Sequence, residues 1–431
     1  MKNLIACSAL VLTLVAAMAS PLKAEDSEVS FVFALYFAPK PSSDPEKLLE
    51  EQLSGPYRNL GEIATIDYTW LALDRYPPPD ESSFRYICIG LSPELAAPLG
   101  AAEKVFLVSF KTSLEKLIET NRLANALLAD LAENTSGYPW DEECRLLYSP
   151  NAWREQRIDT WEGGLPDMSK QITMHAYRDP ELVRIITLGM RKFGLPDLVM
   201  EEVYSGTSRS GGNTINILAQ AFVEGQSPDN NRLLLELSSL KHSGAKKSAL
   251  ENPLEGAEGR VLVSFLRVPL DEGDPENLLL RIDFPGMDGE TATERQSQAF
   301  TKLFGASDEI SGVDSSDQEV QAASRRARTA LLALKDHFRG GLDPNERIVV
   351  KYGFPVSDSR EYMWVEILQW NDAILTGVLL NDSHFDDELK AGKRVTVPVE
   401  EVFDYIHYKP DGSSVGNETG EIIKRKYQEE E

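Results

Sequence analysis

The sequence predicts an α+β protein, with a mixed α+β N-terminal domain and a small C-terminal antiparallel β-sheet or barrel preceded by a packed helix. Apolar runs rich in Val and Phe alternate with amphipathic stretches over residues 25–225, as in domains that mix helices and strands. Short β-like runs fill residues 348–423, directly behind an amphipathic helix. We therefore expect an N-terminal α+β domain at 25–225, a linker with a β-hairpin and a short helix at 226–310, and a C-terminal domain at 315–427.

Residues 1–24 have the layout of a secretory signal peptide. Lys2 precedes an uncharged apolar run from Leu4 to Ala19, and cleavage is expected after Ala24. A membrane anchor is the alternative, but this run of about 16 residues is shorter than the roughly 20 that span a bilayer. A lipoprotein signal is a further alternative, although the lipobox-like Cys7 comes before the apolar run. The expected protein is exported, periplasmic or secreted, with no membrane span after cleavage.

The charge of the chain is strongly acidic, with 44 Lys and Arg against 69 Asp and Glu and a formal net charge of −25. Such a body repels phosphate backbones and anionic membrane surfaces unless basic residues are concentrated locally. The dense basic cluster at 325–328 lies on a predicted helix, where it is expected to form the solvated face. We therefore expect no nucleic-acid partner.

The chain has three cysteines, of which Cys7 lies in the predicted signal peptide. Two cysteines in an oxidising compartment favour one disulfide, so a bond between Cys88 and Cys144 is expected. Two buried free thiols are the alternative. Neither cysteine has the surroundings of a catalytic nucleophile in the sequence.

The elements of the N-terminal domain follow from apolar spacing. The run at 29–37 is apolar throughout, as in a buried strand. Asp44-Pro45 begins a helix, since Pro is favoured in the first turn. Ser113 is placed to cap a long helix whose apolar residues recur three and four apart. Further strands are predicted at 68–73, 86–91, 105–110 and 172–177, and a further helix at 213–225.

The middle region has the composition of a connector, with Gly, Ser, Pro and Asp at 225–229 and Gly and Lys at 243–247. Runs at 261–268 and 278–284 predict two strands joined by an acidic turn. The spacing at 292–304 predicts a short amphipathic helix.

The C-terminal domain begins with the capping box Ser316-Asp317-Gln318-Glu319. Apolar residues behind it step by three and four as far as Phe338, and Gly340-Gly341 end this helix. The β-like runs that follow are separated by turns such as Pro410-Asp411-Gly412, which favours a small antiparallel sheet or barrel.

Several motifs of this region occur together, and their combination is more specific than any one of them. They are Val350-Lys351 with Phe354, Glu361–Val365, Thr376–Asn381, Leu389–Gly392, Val395–Val397 and Asp404-Tyr405. The region at about 320–425 resembles the domain of unknown function 2314 family. Ser383 and Tyr405 depart from the family pattern, which often has Pro and Trp at these positions. The resemblance implies a fold but supplies no catalytic residues.

The chain contains no HExxH, CxxC, Walker or GxSxG motif. The best catalytic candidate is the loop at 381–388, where His384 lies between Asp382 and Asp386. Carboxylates around a histidine can hold a cation or poise a general base. An acidic loop between two strands is the alternative interpretation.

A binding surface is predicted on the C-terminal strands, at Trp364, Glu366, Trp370 and Tyr405. Exposed aromatic residues on a sheet can grip a peptide or a sugar, whereas core packing is the commoner role of such residues. The glycine-rich stretch 206–213 opens a predicted helix, whose amino end can hold an anion. Its spacing matches no phosphate-binding fingerprint, so we interpret it as a loop.

The expected function is that of an exported, non-enzymatic module that binds a protein or a small molecule, with no cofactor and no resident metal. The alternative is a metal-dependent or general-base hydrolase that uses His384 with Asp382 and Asp386. The absence of catalytic motifs favours the binding module.

Overall fold

The structure is a computed structural model, and it confirms the α+β class. It describes residues 28–178, 182–204, 207–250, 257–305, 317–343, 346–356, 359–383, 386 and 388–430. The predicted signal peptide lies outside the described residues. No helix in the described part of the chain is long and apolar enough to cross a membrane.

The first sheet has the strand order β2-β4-β1-β5-β6-β3, with every pair antiparallel except β3 and β6. The long helix α5 packs on it because Leu127, Leu128 and Leu131 lie on one helical face against Phe31 and Phe33. The strands are β1 Glu28–Tyr36, β2 Thr65–Ala72, β3 Cys88–Ile89, β4 Lys104–Ser113, β5 Tyr138–Asp141 and β6 Leu146–Tyr148. The helices are α1 Pro45–Ser54, α2 Arg58–Ile63, α3 Phe84–Ile87, α4 Ala96–Gly100, α5 Leu117–Thr135 and α6 Pro150–Trp153.

The second sheet has the order β12-β13-β14-β11-β10-β9, with α8 and α10 contributing to its core. Its strands lie on both sides of residue 225, where the sequence predicted a domain boundary, because β11 pairs in parallel with β14. The strands are β9 Thr173–Arg178, β10 Leu182–Leu188, β11 Asp197–Tyr204, β12 Arg232–Glu236, β13 Arg260–Val268 and β14 Leu279–Asp283, beside the small hairpin β7 Trp161–Glu162 and β8 Leu165–Pro166. The helices are α7 Met168–Gln171, α8 Ser208–Val223, α9 Ser243–Leu250 and α10 Ala292–Phe304.

The third sheet is antiparallel, with the order β18-β17-β16-β15-β19-β20. The strands are β15 Arg347–Val356, β16 Ser359–Asn371, β17 Ile374–Leu379, β18 Arg394–Pro398, β19 Asp404–Tyr408 and β20 Ser414–Gly416. The helices are α11 Gln318–Ala333, α12 Lys335–Gly340 and α13 Glu418–Glu430. Short turns of helix occur at Pro93–Leu95, Arg154–Ile158, Met190–Phe193, Leu237–Ser239 and Val399–Glu401.

Helix α11 begins at the predicted place, although its cap differs in detail. Asp317 is the N-cap, and its side chain accepts hydrogen bonds from the backbone amides of Glu319 and Val320. Ser316, the predicted capping residue, lies outside the described residues. Ala327 and Leu331 on this helix pack into the core of the third sheet, as the apolar spacing predicted.

The two cysteines within the described residues are free, which corrects the predicted disulfide. Cys88 lies in β3 and packs against residues such as Phe84 and Leu99. Cys144 belongs to a different cluster, and its Sγ lies 3.3 Å from Lys192 Nζ. The two thiols are packed in separate clusters, and the structure does not join them.

The first residue of β11, Asp197, has a buried carboxyl group. Asp197 is fully buried and accepts hydrogen bonds from the Thr187 hydroxyl at 2.7 Å and the Asn277 amide at 2.8 Å. Burial raises the pKa of Asp197 to about 6, although these hydrogen bonds act in the opposite direction. The folded protein therefore holds this proton at a pH where the unfolded chain has lost it.

Because its folded pKa is raised, Asp197 is expected to lower stability as pH rises from about 4 to about 7. The shift corresponds to about 3 kcal/mol across that window. We expect Asp197→Asn to remove this part of the pH dependence, measured as urea unfolding free energy at a series of pH values. Asp67→Asn, at an exposed position on β2, is the control and should keep the wild-type slope. An unchanged slope in Asp197→Asn would contradict the assignment.

Candidate metal centre

The predicted catalytic loop has its carboxylates engaged in holding the loop together. Asp382 Oδ1 accepts a hydrogen bond from the Ala391 amide at 2.8 Å. Asp386 Oδ1 accepts one from the Glu388 amide at 2.9 Å. His384 lies outside the described residues, so these contacts concern the two aspartates alone.

Trp370, one of the predicted binding residues, lies in the hydrophobic core and is 4% exposed. Strict alternation along β16 would place it on the opposite face from Ile367. A β-bulge between Ile367 and Gln369 inserts one residue and turns Trp370 to the core face. Its ring centroid lies 5.9 Å from that of Phe338.

The other predicted binding residues are divided between the two faces of the third sheet. Tyr405 packs in the core beneath the helix and is 8% exposed. Trp364 lies on the opposite face, where Lys351 Nζ is 5.4 Å from its ring centroid. Glu366 is on this second face and is buried. The prediction of one shared binding surface is therefore corrected, since these four side chains do not converge.

Three other side chains do converge, and we call His337, Glu346 and His407 the His-Glu-His triad. His337 lies on α12, Glu346 directly precedes β15, and His407 lies on β19. The antiparallel pairing of β15 and β19 sets Ile348 opposite His407, which brings the start of β15 beside that histidine. Helix α12 then supplies His337 from the helix layer that covers this face.

The donor atoms of the triad lie within 4.8 Å of one another. Glu346 Oε1 is 2.7 Å from His337 Nε2 and 2.6 Å from His407 Nε2. The two imidazole ring centroids are 5.8 Å apart. A carboxylate only accepts hydrogen bonds, so each Nε2 carries its hydrogen in this arrangement. A metal ion would take the place of those two protons.

The carboxylate of Glu346 is held in place from behind. The Asp343 amide donates to Glu346 Oε2 at 2.9 Å, which leaves Oε1 directed at the histidines. Burial opposes ionisation of this group, but the hydrogen bonds from His337, the Asp343 amide and His407 outweigh it and lower the pKa of Glu346 to about 2. The group is therefore an anion at neutral pH, and its orientation is fixed as in metal sites with supporting contacts.

Two triad members are buried, and the third reaches solvent. The side chains of Glu346 and His407 are 4% and 11% exposed, whereas that of His337 is 48% exposed. Two imidazoles and one carboxylate are a common protein ligand set for zinc, which then keeps a further position for water or another ligand. The triad can thus offer three ligands and leave access on the His337 side.

Sequence reasoning missed the triad because its members are far apart along the chain. His337 is 9 residues from Glu346, and His407 is 61 residues from it. Their separations along the chain therefore match no metal-binding sequence motif. Glu346 precedes one β-like run and His407 lies within another, but the sequence alone does not give the register of β15 on β19 that brings them together.

No curated protein and no solved structure matches the chain significantly. A family model does match its C-terminal region, at residues 317–431, and its description reads "Uncharacterized protein conserved in bacteria (DUF2314)". The matched residues include α11, the third sheet and the whole triad. The predicted resemblance is confirmed: the C-terminal region of this chain matches the DUF2314 family model.

Proposed function

We propose that the protein is an exported binding protein whose C-terminal domain holds a divalent transition-metal ion at the His-Glu-His triad. The observation that carries this proposal is the convergence of the three donor atoms within 4.8 Å. Export is supported by the signal-like segment at residues 1–24.

The chemistry of the ligands favours an ion of the zinc class. Imidazole nitrogen suits Zn²⁺ and its neighbours in the first transition row, whereas Ca²⁺ and Mg²⁺ are bound by sets of oxygen atoms. Ligand atoms around a tetrahedral zinc ion lie roughly 3.3 Å apart, given zinc bonds of about 2.0–2.1 Å. The spacing of Glu346 Oε1 from the two Nε2 atoms, 2.7 and 2.6 Å, reaches that value after a small outward shift.

The exposure of His337 determines what the site can do with its ion. A three-ligand site with one solvent-facing side leaves room for a donor atom that the chain does not supply. That donor can be water or a group on a bound partner. The triad therefore supports the binding-module function, with the metal as the point of attachment for a small molecule or a protein group.

The test is titration of the metal-free mature chain, beginning at Glu25, with Zn²⁺ by calorimetry, together with elemental analysis after dialysis. One Zn²⁺ per chain is expected for the wild type. His337→Ala changes a half-exposed residue, so the fold should be retained, and affinity should fall by at least about 100-fold, the upper range for losing a supporting contact. The Zn²⁺ affinity of His407→Ala should fall at least as far.

Two matched histidine variants serve as controls. His175→Ala removes a histidine of β9, and His384→Ala removes the histidine of the loop at 381–388. Both are expected to bind one Zn²⁺ with wild-type affinity. If His384→Ala loses the ion while His337→Ala keeps it, the site lies in the loop and the triad proposal fails.

A further inference from the structure

We propose that the exposed edge of the first sheet, strand β2, is an interaction surface at which a second copy of this chain pairs. This surface is independent of the metal triad. Strand β2 ends the sheet and pairs on one side only, with β4. None of its eight residues is buried. Its outer edge therefore offers backbone donors and acceptors to a further strand.

Strand β2 lacks the features that usually keep an edge strand from pairing with other chains. Short length, charged side chains, proline and β-bulges are the common protections. The other edge strands among the described residues are shorter: β3 has two residues, β20 three and β9 six, whereas β12 begins with Arg232 and ends with Glu236, and β18 begins with Arg394 and ends with Pro398. In β2, Asp67 is the one charged residue, no proline occurs, and the register on β4 runs without a shift.

The outward backbone groups of β2 belong to its even-numbered residues. Hydrogen-bonded pairs alternate along an antiparallel ladder, so every second residue directs its N–H and C=O groups towards β4. The Asp67 carbonyl accepts from the Ser109 hydroxyl on β4 at 3.3 Å, and the Leu73 amide donates to the Glu103 carbonyl at 3.3 Å. The odd-numbered residues therefore bond to β4, and the even-numbered ones face outward.

The free part of this edge is symmetric about Tyr68. At one end the Ala64 amide already donates to the Leu60 carbonyl at 3.0 Å. At the other end the Ala72 carbonyl accepts from the Arg75 amide at 3.0 Å. Between these ends, the outward backbone groups have no hydrogen-bond partner within the described part of the chain. An edge that is symmetric about one residue suits an antiparallel copy of itself, because a two-fold axis makes the contact self-complementary.

A two-fold axis at Tyr68 gives favourable cross-strand pairs. Tyr68 lies opposite Tyr68 of the second copy, and Ile66 lies opposite Trp70. These are an aromatic pair and pairs of an aromatic with a β-branched side chain, both of which stabilise sheets. Asp67 lies opposite Thr69, so the two aspartates do not face each other directly. The outward residues Ile66, Tyr68 and Trp70 all fall in pairs that exchange backbone hydrogen bonds.

The ladder closes where the chain has already used its backbone groups. The next outward pair in this register sets Ala64 opposite Ala72. The amide of Ala64 and the carbonyl of Ala72 would bond to each other there, and both are engaged within their own chain. A strand of another protein requires no such match between the two ends of the edge. The match therefore favours a second copy as the occupant.

The side chain at the centre of the edge leaves room for a further strand. The Tyr68 hydroxyl donates to Glu50 Oε1 at 2.8 Å. The Tyr68 ring centroid lies 5.9 Å from that of Phe106 on β4. The ring thus lies back over the sheet, and a second copy can approach the backbone without displacing it.

The test is sedimentation equilibrium of the mature chain over a range of protein concentrations, and a reversible dimer is expected. Tyr68→Pro removes an outward N–H and leaves the bonds to β4 intact, so the fold should be retained, as circular dichroism would show. Its dimer should weaken by at least roughly 30-fold, the effect of losing two hydrogen bonds. The control Tyr68→Ala keeps the N–H and should weaken the dimer by less than about fivefold.

Cysteine cross-linking locates the axis without altering the backbone. The Cα atoms of a hydrogen-bonded antiparallel pair lie about 5.5 Å apart, within the range that a disulfide spans. Tyr68→Cys is therefore expected to form a disulfide-linked dimer on mild oxidation. Thr65→Cys, exposed at the end of the strand, should not. Cys88 and Cys144 are buried and do not compete.

Three results would overturn the proposal. A wild type that stays monomeric would leave the edge to a strand of another protein. A Tyr68→Pro variant that dimerises as the wild type does would place the dimer contact elsewhere. Cross-linking of Thr65→Cys as readily as of Tyr68→Cys would exclude the axis at Tyr68.

Discussion

Asp141→Ala is expected to destabilise the protein by about 3–5 kcal/mol, the range measured when one member of a buried ion pair is removed. Asp141 is fully buried at the end of β5, and its Oδ2 lies 2.9 Å from Arg157 and 2.5 Å from Lys192. Both cations are themselves buried, with side chains 0% and 1% exposed. Loss of the carboxylate would leave two buried positive charges without their anion.

The remaining partners of these cations cannot replace the carboxylate. Arg157 donates to the Lys170 carbonyl at 2.6 Å and to the Tyr148 hydroxyl at 2.8 Å. Lys192 donates to the Gln171 carbonyl at 2.9 Å. These acceptors are neutral, and they satisfy hydrogen-bonding capacity without balancing charge.

The network also connects two sheets. Asp141 ends β5 in the first sheet, and Lys192 lies in the helical turn that follows β10 of the second. Burial by itself opposes ionisation of Asp141, but Lys192 and Arg157 hold the pKa of this carboxyl below its usual range. The charge that stabilises both cations is therefore present throughout the neutral range, and its removal is expected to loosen the junction of the two sheets.

A double-mutant cycle isolates the interaction. Lys192→Met removes one cation and leaves Asp141 paired with Arg157, so it should destabilise less than Asp141→Ala. The double variant Asp141→Ala/Lys192→Met should lose less unfolding free energy than the sum of the two single losses. It leaves one buried cation without an anion, whereas Asp141→Ala leaves two. Asp372→Asn, at a carboxylate 88% exposed, is the control and should change stability by less than about 1 kcal/mol in urea unfolding. A loss in Asp141→Ala no larger than this control would contradict the argument.

The local elements of the fold could be predicted because their causes are local. The predicted strands 261–268 and 278–284 coincide with β13 and β14, and the predicted helix 292–304 coincides with α10. Helix α11 begins beside its predicted cap and presents the predicted apolar face to the sheet. Apolar periodicity and capping residues lie within a few positions of one another, so one sequence is enough to show them.

The features that decide the sites depend on pairing between distant segments. The parallel pairing of β11 with β14 joins segments about 80 residues apart across a polar stretch that looked like a linker. The bulge in β16 reverses the face of Trp370, and periodicity gives no sign of a single inserted residue. The triad likewise depends on how β19 lies against β15. Strand registers of this kind are set by the packing of the whole fold, and a single sequence does not reveal them.

Gly377→Ala is expected to destabilise the third sheet by about 3 kcal/mol, the upper end of the usual effect of overpacking. A Cβ atom at Gly377 would lie 2.0 Å from the carbonyl oxygen of Glu366 and 2.7 Å from Val365 Cγ1. The oxygen belongs to the neighbouring strand backbone, so it cannot rotate away as a side chain would. Gly377 pairs with Ile367, directly at the bulge of β16, where the two backbones approach closely.

The control is a glycine of the same domain whose Cβ position is open. Gly340 ends α12, and a Cβ atom there would meet nothing within 4 Å. Gly340→Ala should therefore be neutral or stabilising by up to about 1 kcal/mol, because alanine favours the helix. The urea midpoint for unfolding of the third sheet, followed by hydrogen exchange at the backbone amides of β16 and β17, separates the two variants. Equal urea midpoints would show that β17 can move away from β16 without loss of stability. The bulge would then not be fixed by Gly377, the glycine opposite it.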